Sequence, residues 1–261
     1  MEITIFASGS SGNCSVVTDG KVNILIDAGI SLRRVTAGLR TLGLTPGDLD
    51  GVLVTHEHSD HVSGLPMLLK HGGLPVYATR TTANRLRGML PGTEEYIVEI
   101  APGAGFDLGD IEVTAFPTPH DSADSVGYRL ENGTALGFAT DTGCVTDEML
   151  AGLMGTDTAV IEANHDVEML RWGRYPVYLK RRILSDTGHL SNDNCGKLAK
   201  TLAENGTRRI IIGHLSKENN TPDTARRTVQ NALCGCDAQL YVAPADGCLT
   251  VPVERSCLCL A

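Results

Sequence analysis

The feature that most constrains this chain is its supply of short strands. Runs rich in Val and Ile and bounded by Gly, Ser and Asp cover residues 2–7, 15–18, 22–27 and 51–55, and similar short runs follow at 76–78, 96–100, 111–116, 127–130, 135–140, 159–162, 209–212, 240–242 and 249–253. Helical periodicity lies between some of them. Ser31 reads as the N-cap of a helix over 32–42 that ends at Gly43, and Ser191 as the N-cap of one over 192–205 that ends at Gly206. Further helices are expected over 63–71, 81–89, 147–154 and 222–234. Helices punctuate the strands without strict alternation. That pattern predicts an α/β chain of two stacked mixed β-sheets flanked by helices, and argues against one doubly wound parallel sheet. No repeat or Pro/Ser-rich linker interrupts it, so residues 1–261 read as one domain.

With 42% hydrophobic residues the chain can fill such a core. Its 31 acidic against 22 basic side chains give a net charge of −9, which argues against a DNA-coating protein but leaves a local basic patch open. No run approaches the roughly 18–20 apolar residues of a membrane span. The first residues lack the basic n-region of a signal peptide, so the expected compartment is the cytoplasm, with reduced thiols. Two C-x-C pairs, Cys234/Cys236 and Cys257/Cys259, lack the C-x2-C spacing of a zinc knuckle.

The chemistry concentrates at Thr55-His56-Glu57-His58-Ser59-Asp60-His61, directly after an apolar strand. Alternate residues leaving a strand end can grip one ion while the turn offers Asp60 and His61 to a second, and imidazole with carboxylate suits Zn²⁺, Fe²⁺ or Mn²⁺. A plain surface histidine cluster would not interleave an acid or follow an apolar strand. His120, Asp141 and His214 each stand at the end of a later apolar strand, at the edge where a site would form. A lone residue of this kind is as easily a capping Asp or a loop His; the repeated placement favours ligands. His71, before Gly72-Gly73, reads as a partner of a helix C-terminus.

HEHSDH resembles the HxHxDH signature of the metallo-β-lactamase fold superfamily, and His120, Asp141 and His214 follow in that superfamily's order. The segments FASGSSGNC, LIDAGIS, VTHEHSDHVSGL, TDTG, IEANHDVEML, YPVYLKRRI, GHLSN and HLSKENN look like its YycJ/WalJ-like branch, bacterial proteins related to tRNase Z. The likeness spans roughly residues 3–226. It implies a four-layer αβ/βα sandwich and two divalent metal ions, zinc first, with manganese or iron as alternatives. His56, His58 and His120 would hold one ion, Asp60, His61 and His214 the other, and Asp141 would bridge. Asp27 matches a supporting aspartate. The implied reaction is hydrolysis by a metal-bridging hydroxide, which Asp60 would orient or deprotonate. Glu162 and His189 resemble a carboxylate–histidine pair that protonates the leaving oxygen.

Residues 171–182, RWGRYPVYLKRR, carry five basic side chains, no acidic one and the only Trp. Such a stretch suits phosphates and bases, and an amphipathic helix with a solvated face explains it as well. Lys180, Arg181 and Arg182 are the candidate substrate contacts there, with His165 beside the Glu162 loop. The loop at 8–13 could offer backbone N–H groups to a phosphate or be a tight turn. Only 73 positions separate Asp141 from His214, too few for the inserted domain of β-CASP nucleases. The long basic arm of tRNase Z is missing, and His58 stands where the flavodiiron branch has Glu. The resemblance thus implies a phosphodiesterase acting on DNA, a 5′ exonuclease as its most specific form. A small-molecule ester, thioester or lactone hydrolase using the same metals is the alternative, and a metal-loaded binding or regulatory module the non-enzymatic one.

Overall fold

The computed structural model describes residues 1–255, so the Cys257/Cys259 pair lies outside the described residues. In chain order the elements are β1 (Glu2–Ala7), β2 (Cys14–Thr18), β3 (Asn23–Ile26), α1 (Leu32–Thr41), β4 (Gly51–Leu53), α2 (Ser59–Val62), α3 (Leu65–Gly72), β5 (Val76–Thr79), α4 (Arg80–Met89) and β6 (Ile97–Ile100). There follow β7 (Gly105–Leu108), β8 (Ile111–Pro117), β9 (Val126–Glu131), β10 (Ala135–Ala139), α5 (Asp147–Leu153), β11 (Thr158–Glu162), α6 (Val167–Trp172) and α7 (Val177–Ile183). The last are α8 (Asn192–Glu204), β12 (Arg209–Gly213), α9 (Pro222–Ala232), β13 (Gln239–Val242) and β14 (Leu249–Pro252).

Two seven-stranded sheets result, ordered β14-β1-β2-β3-β4-β5-β6 and β13-β12-β11-β10-β9-β8-β7. Both are mixed in the same way: the β14-to-β3 and β7-to-β10 steps are antiparallel, and the β3-to-β6 and β10-to-β13 steps parallel. Period-2 alternation sorts side chains between layers. Ile24 and Ile26 of β3 join Val113, Tyr128 and Ile211 between the sheets, while Leu25 faces the helix side with Val35, Leu39 and Leu68. In the other sheet Ile211 points inward, and Ile210 and Ile212 pack with Leu198 and Leu202 of α8. Each fully buried aliphatic side chain contributes roughly 1.5–3 kcal/mol. The Tyr128 hydroxyl crosses between the sheets to donate to the Val54 carbonyl, 2.6 Å away, beside the start of the histidine motif.

The structure departs from the sequence reading locally. The helix expected over 63–71 is two pieces, α2 and α3, because Gly64 breaks it against the Ala28–Ile30 backbone. Its amide donates to Ala28 O at 2.7 Å, and a Cβ there would meet Ile30 O at 2.1 Å. Ser31 occupies the N-cap of α1 but its hydroxyl makes no capping bond, whereas Ser191 Oγ accepts from Asn194 N at 3.3 Å. β7, an edge strand with Gly105 and Asp107 exposed, has no Val or Ile and no apolar run to mark it in the sequence. His71 lies in the last turn of α3, as read from the sequence.

Candidate metal centre

The strands deliver their polar residues to one edge. Asp27 follows β3, His56 follows β4, Asp141 follows β10, His214 follows β12, and Glu162 ends β11. The carboxyl ends of parallel strands are where mixed and parallel sheets open a crevice. Asp27, Asp141 and His214 are the only non-glycine residues with positive φ among the described residues, at 58°, 57° and 54°. Each left-handed residue costs about 1–3 kcal/mol and persists where surrounding structure enforces it. All three point into one cluster.

Ligand-type atoms converge there in overlapping sets: His56, His58 and His120; Asp60, His61 and His214; His56, His61 and Asp141; and Asp141, Glu162, His189 and His214. Within each set the atoms lie within 4.8 Å of one another. His56 Nε2 and His58 Nδ1 face each other at 3.0 Å. Glu57, between them, turns away and accepts from Ala123 N at 3.2 Å. Asp141 spans both groups: Oδ2 is 3.3 Å from His61 Nε2, while Oδ1 is 3.4 Å from His214 Nε2 and 3.8 Å from His120 Nε2.

The outer nitrogens of these rings are already spent. His56 Nδ1 meets Thr55 Oγ1 at 3.0 Å, and that hydroxyl donates to Asp27 Oδ2 at 2.9 Å. His61 Nδ1 lies 2.7 Å from Asp27 Oδ2, His120 Nδ1 3.1 Å from Gly188 O, and His214 Nδ1 2.8 Å from Glu162 Oε1. Donation to these fixed acceptors sets each ring's tautomer and leaves a lone pair on Nε2. His214 Nε2 and Asp141 Oδ2 are buried with no hydrogen-bond partner. Buried polar atoms are rarely left so, and cations between them would satisfy both. The donor set fits divalent metal.

Electrostatics agree. Burial drives His56 well below the usual imidazole range and lowers His120, keeping both in the neutral form a cation needs. Burial also opposes charge on His61, yet Asp27 and Asp141 outweigh it and lift that ring to about 10. A site that calls so strongly for positive charge beside two carboxylates suits a cation. Burial alone would raise Asp60, but His214 and His61 hold it ionised.

Two supporting residues carry no signal in the sequence. Thr55 ties Asp27 to His56, and Asn13 Nδ2 donates at 3.0 Å to His61 Nε2, the inward nitrogen that a cation would take instead. The loop at 8–13 braces the site: Ser8 Oγ accepts from His214 N at 2.8 Å, Asn13 N donates to Asp60 O at 2.8 Å, and Gly12 N bonds back to Gly9 O. Gly29 lets these backbones meet, since a Cβ there would lie 1.6 Å from Asp60 O. Gly29→Ala is therefore expected to cost about 3 kcal/mol, read as a lowered urea midpoint with unchanged slope.

Glu162 is fully buried and uses both oxygens. Oε1 accepts from His189 Nδ1 and His214 Nδ1, both at 2.8 Å; Oε2 accepts from Thr142 N at 2.9 Å and Leu190 N at 3.1 Å. Burial works against charge here too, but His189 and His214 take Glu162 down to about 2, and Glu162 in turn raises His189.

The expected substrate contacts fare differently. His165 is 1% exposed with both ring nitrogens unpartnered, and burial lowers it to about 4. A neutral ring so deeply buried makes no direct contact at the surface. Lys180 is likewise corrected, because its ammonium donates to the Arg171 and Gly173 carbonyls at 2.7 Å each and so clamps α6 to α7. Arg182 pairs with Asp121, while Arg181 is exposed. The thiols of Cys234 and Cys236 are free.

The beta-lactamase superfamily domain profile matches residues 22–215. Exodeoxyribonuclease YycJ of Bacillus anthracis is 40% identical over 237 residues, 89% of each chain. Exodeoxyribonuclease WalJ of Streptococcus pneumoniae is 40% identical over 241 residues, 90% of this chain and 88% of that one. The fold is also that of Zn²⁺-bound PqqB from Methylobacterium extorquens, at a TM-score of 0.74 with 19% identity, covering 97% of this chain and all of the other. The chain therefore belongs to the beta-lactamase superfamily, within the branch that contains YycJ and WalJ. It is a metal-dependent hydrolase by family and by site.

Proposed function

We propose that the chain is a binuclear metal-dependent exonuclease that hydrolyses phosphodiester bonds in DNA. The observation that carries the metal centre is the set of imidazoles whose outer N–H groups are fixed and whose inner lone pairs meet at Asp141. The names of the relatives carry the substrate. His56, His58 and His120 would hold one ion, and Asp60, His61 and His214 the other, with Asp141 between them. Nitrogen and carboxylate donors suit zinc first, with manganese or iron acceptable. Such a pair supplies Lewis acidity and brings the acidity of water toward neutrality.

The protein's own groups do the rest. Asp60, ionised and 24% exposed at its side chain, orients the attacking water. His189 is held by Glu162 through Nδ1, which leaves Nε2 free to hand a proton to the leaving oxygen. Arg174 and Arg181 lie in the same segment as Trp172 and Tyr178, which are 85% and 75% exposed, while Arg171 pairs with Glu168 at 2.9 Å. In a chain of net charge −9, this basic and aromatic surface suits a strand of nucleic acid. The free thiols of Cys14, Cys144, Cys195, Cys234, Cys236 and Cys248 suit the reducing cytoplasm. Among the described residues no helix is long and apolar enough to cross a membrane.

An end-labelled oligonucleotide incubated with protein and Mn²⁺ beside a thioester panel, with elemental analysis of the protein, tests this reading. Cleavage of the strand and about two metal ions per chain are expected; turnover of thioesters alone would overturn it. Arg174→Glu with Arg181→Glu is expected to weaken strand binding and to flatten its salt dependence, the log–log slope falling by about 0.7 for each phosphate no longer neutralised. A binding isotherm measured across salt concentrations reads that slope.

A further inference from the structure

Next to the metal cluster lies a cavity of about 170 Å³ that the metal chemistry leaves unused. The segment leading into α7 and α7 itself give it Tyr175, Leu179, Arg182 and Ile183; the strand-end loops give it Asn164, Ser216 and His189. Residues 179, 182 and 183 share one stripe of α7, and Tyr175 stands just before its N-cap. His189 is the group assigned to the leaving oxygen, so whatever fills the cavity lies on the leaving-group side.

The lining selects for a flat heterocycle. Tyr175, Leu179 and Ile183 offer aromatic and aliphatic surface. Among the described residues the Tyr175 hydroxyl has no partner, and Asn164 uses only Nδ2, on the His214 carbonyl at 3.0 Å, keeping Oδ1 as an acceptor. Ser216 Oγ accepts from Asn219 N at 3.2 Å and still has its own proton to donate. The ion pair with Asp121 cancels the charge of Arg182 and disfavours an added phosphate. The volume is below the roughly 300–1,000 Å³ of common ligand pockets, which leaves room for one base but not for two stacked.

We infer that this cavity is a subsite for the terminal base of the strand, and that its size limits each cut to one nucleotide. The inference rests on the nuclease reading. Entry requires the terminal base to leave its stack.

The test compares oligonucleotides that end in a normal or an abasic residue, using the metal-loaded, full-length protein. Wild type is expected to release mononucleotides and to favour the base-bearing end about tenfold in kcat/KM, the scale of one stacked base. Leu179→Trp, which fills the cavity, and Tyr175→Ala should each bring that ratio to near one, whereas Tyr175→Phe keeps it. The ratio is internal to each variant, so partial loss of folded protein does not mimic the effect. Calorimetry with deoxyadenosine 5′-monophosphate should show binding about tenfold weaker in Leu179→Trp. A first product longer than one nucleotide, or a ratio that survives both substitutions, overturns the subsite alone. Wild type that hydrolyses bis(p-nitrophenyl) phosphate but no oligonucleotide overturns the nuclease reading and the subsite with it.

Discussion

Glu162→Gln is expected to lower kcat/KM on an end-labelled strand by about 1,000-fold while the chain still folds, combining loss of a ligand's support with loss of a proton donor. The reason is lone-pair arithmetic. Glu162 receives four donors, His189 Nδ1 and His214 Nδ1 on one oxygen and Thr142 N and Leu190 N on the other. A glutamine has one oxygen and one NH₂, so one pair of donors must face a donor. Turned toward the backbone, the NH₂ strands two buried amides at about 1–3 kcal/mol each. Turned toward the imidazoles, it drives the His214 proton onto Nε2, the nitrogen aimed at Asp60 and Asp141. Elemental analysis should then find about one metal ion fewer per chain.

The same substitution has a pH signature. Glu162 raises His189, so His189 keeps its proton to higher pH than a free imidazole and loses it as pH climbs through that raised value. Without the carboxylate, the alkaline limb of the kcat profile should move to lower pH. A profile and a metal content both equal to wild type would refute the assigned roles. Glu162→Ala is a poor substitute, because it unpairs the Thr142 and Leu190 amides outright and confounds chemistry with stability.

The difference between Glu162 and Lys180 shows what a sequence of this kind makes legible. Strands are readable because Val and Ile runs end at Gly, Ser and Asp, and residues at strand ends must gather at a sheet edge. That gathers His56, His120, Asp141 and His214 from the sequence alone, whereas Glu162 enters only through the family resemblance. The short edge strand β7 carries no such signal. Neither does the split between α2 and α3, which depends on the approach of the Ala28–Ile30 backbone to Gly64, a contact between segments distant in sequence. Side-chain direction is the other blind spot. Composition marks residues 171–182 as basic, but only the tertiary arrangement shows the Lys180 ammonium spent on carbonyl oxygens and Arg181 left in solvent. His165, a candidate in the sequence for its place beside the Glu162 loop, is buried, which composition does not reveal. Thr55 and Asn13 look ordinary in sequence, and their roles exist only through the atoms they join.

Asp141→Asn carries the largest expected effect: loss of activity by at least about 1,000-fold, with neither ion held tightly. Asparagine keeps the side-chain shape and tolerates the left-handed backbone at φ 57°, so a folded variant is expected. What changes is charge and lone pairs. Oδ2 faces His61 Nε2 at 3.3 Å with no hydrogen-bond partner, and Oδ1 faces both His214 Nε2, from the same group as His61, and His120 Nε2, from the other. An amide keeps one oxygen and puts an NH₂ in place of the other, which then meets inward-facing nitrogens without anionic charge. If the two groups hold separate ions joined at this carboxylate, one substitution should weaken both. Zn²⁺ should then raise the melting temperature of wild type and leave that of Asp141→Asn nearly unmoved, since a ligand stabilises only what binds it. His58→Ala is the control, because His58 belongs to only one of the two groups, and it should release one ion and keep part of the thermal shift. An Asp141→Asn variant that binds two ions as wild type does would remove the bridging carboxylate from the proposed centre, and equal losses in both variants would argue for a single shared ion.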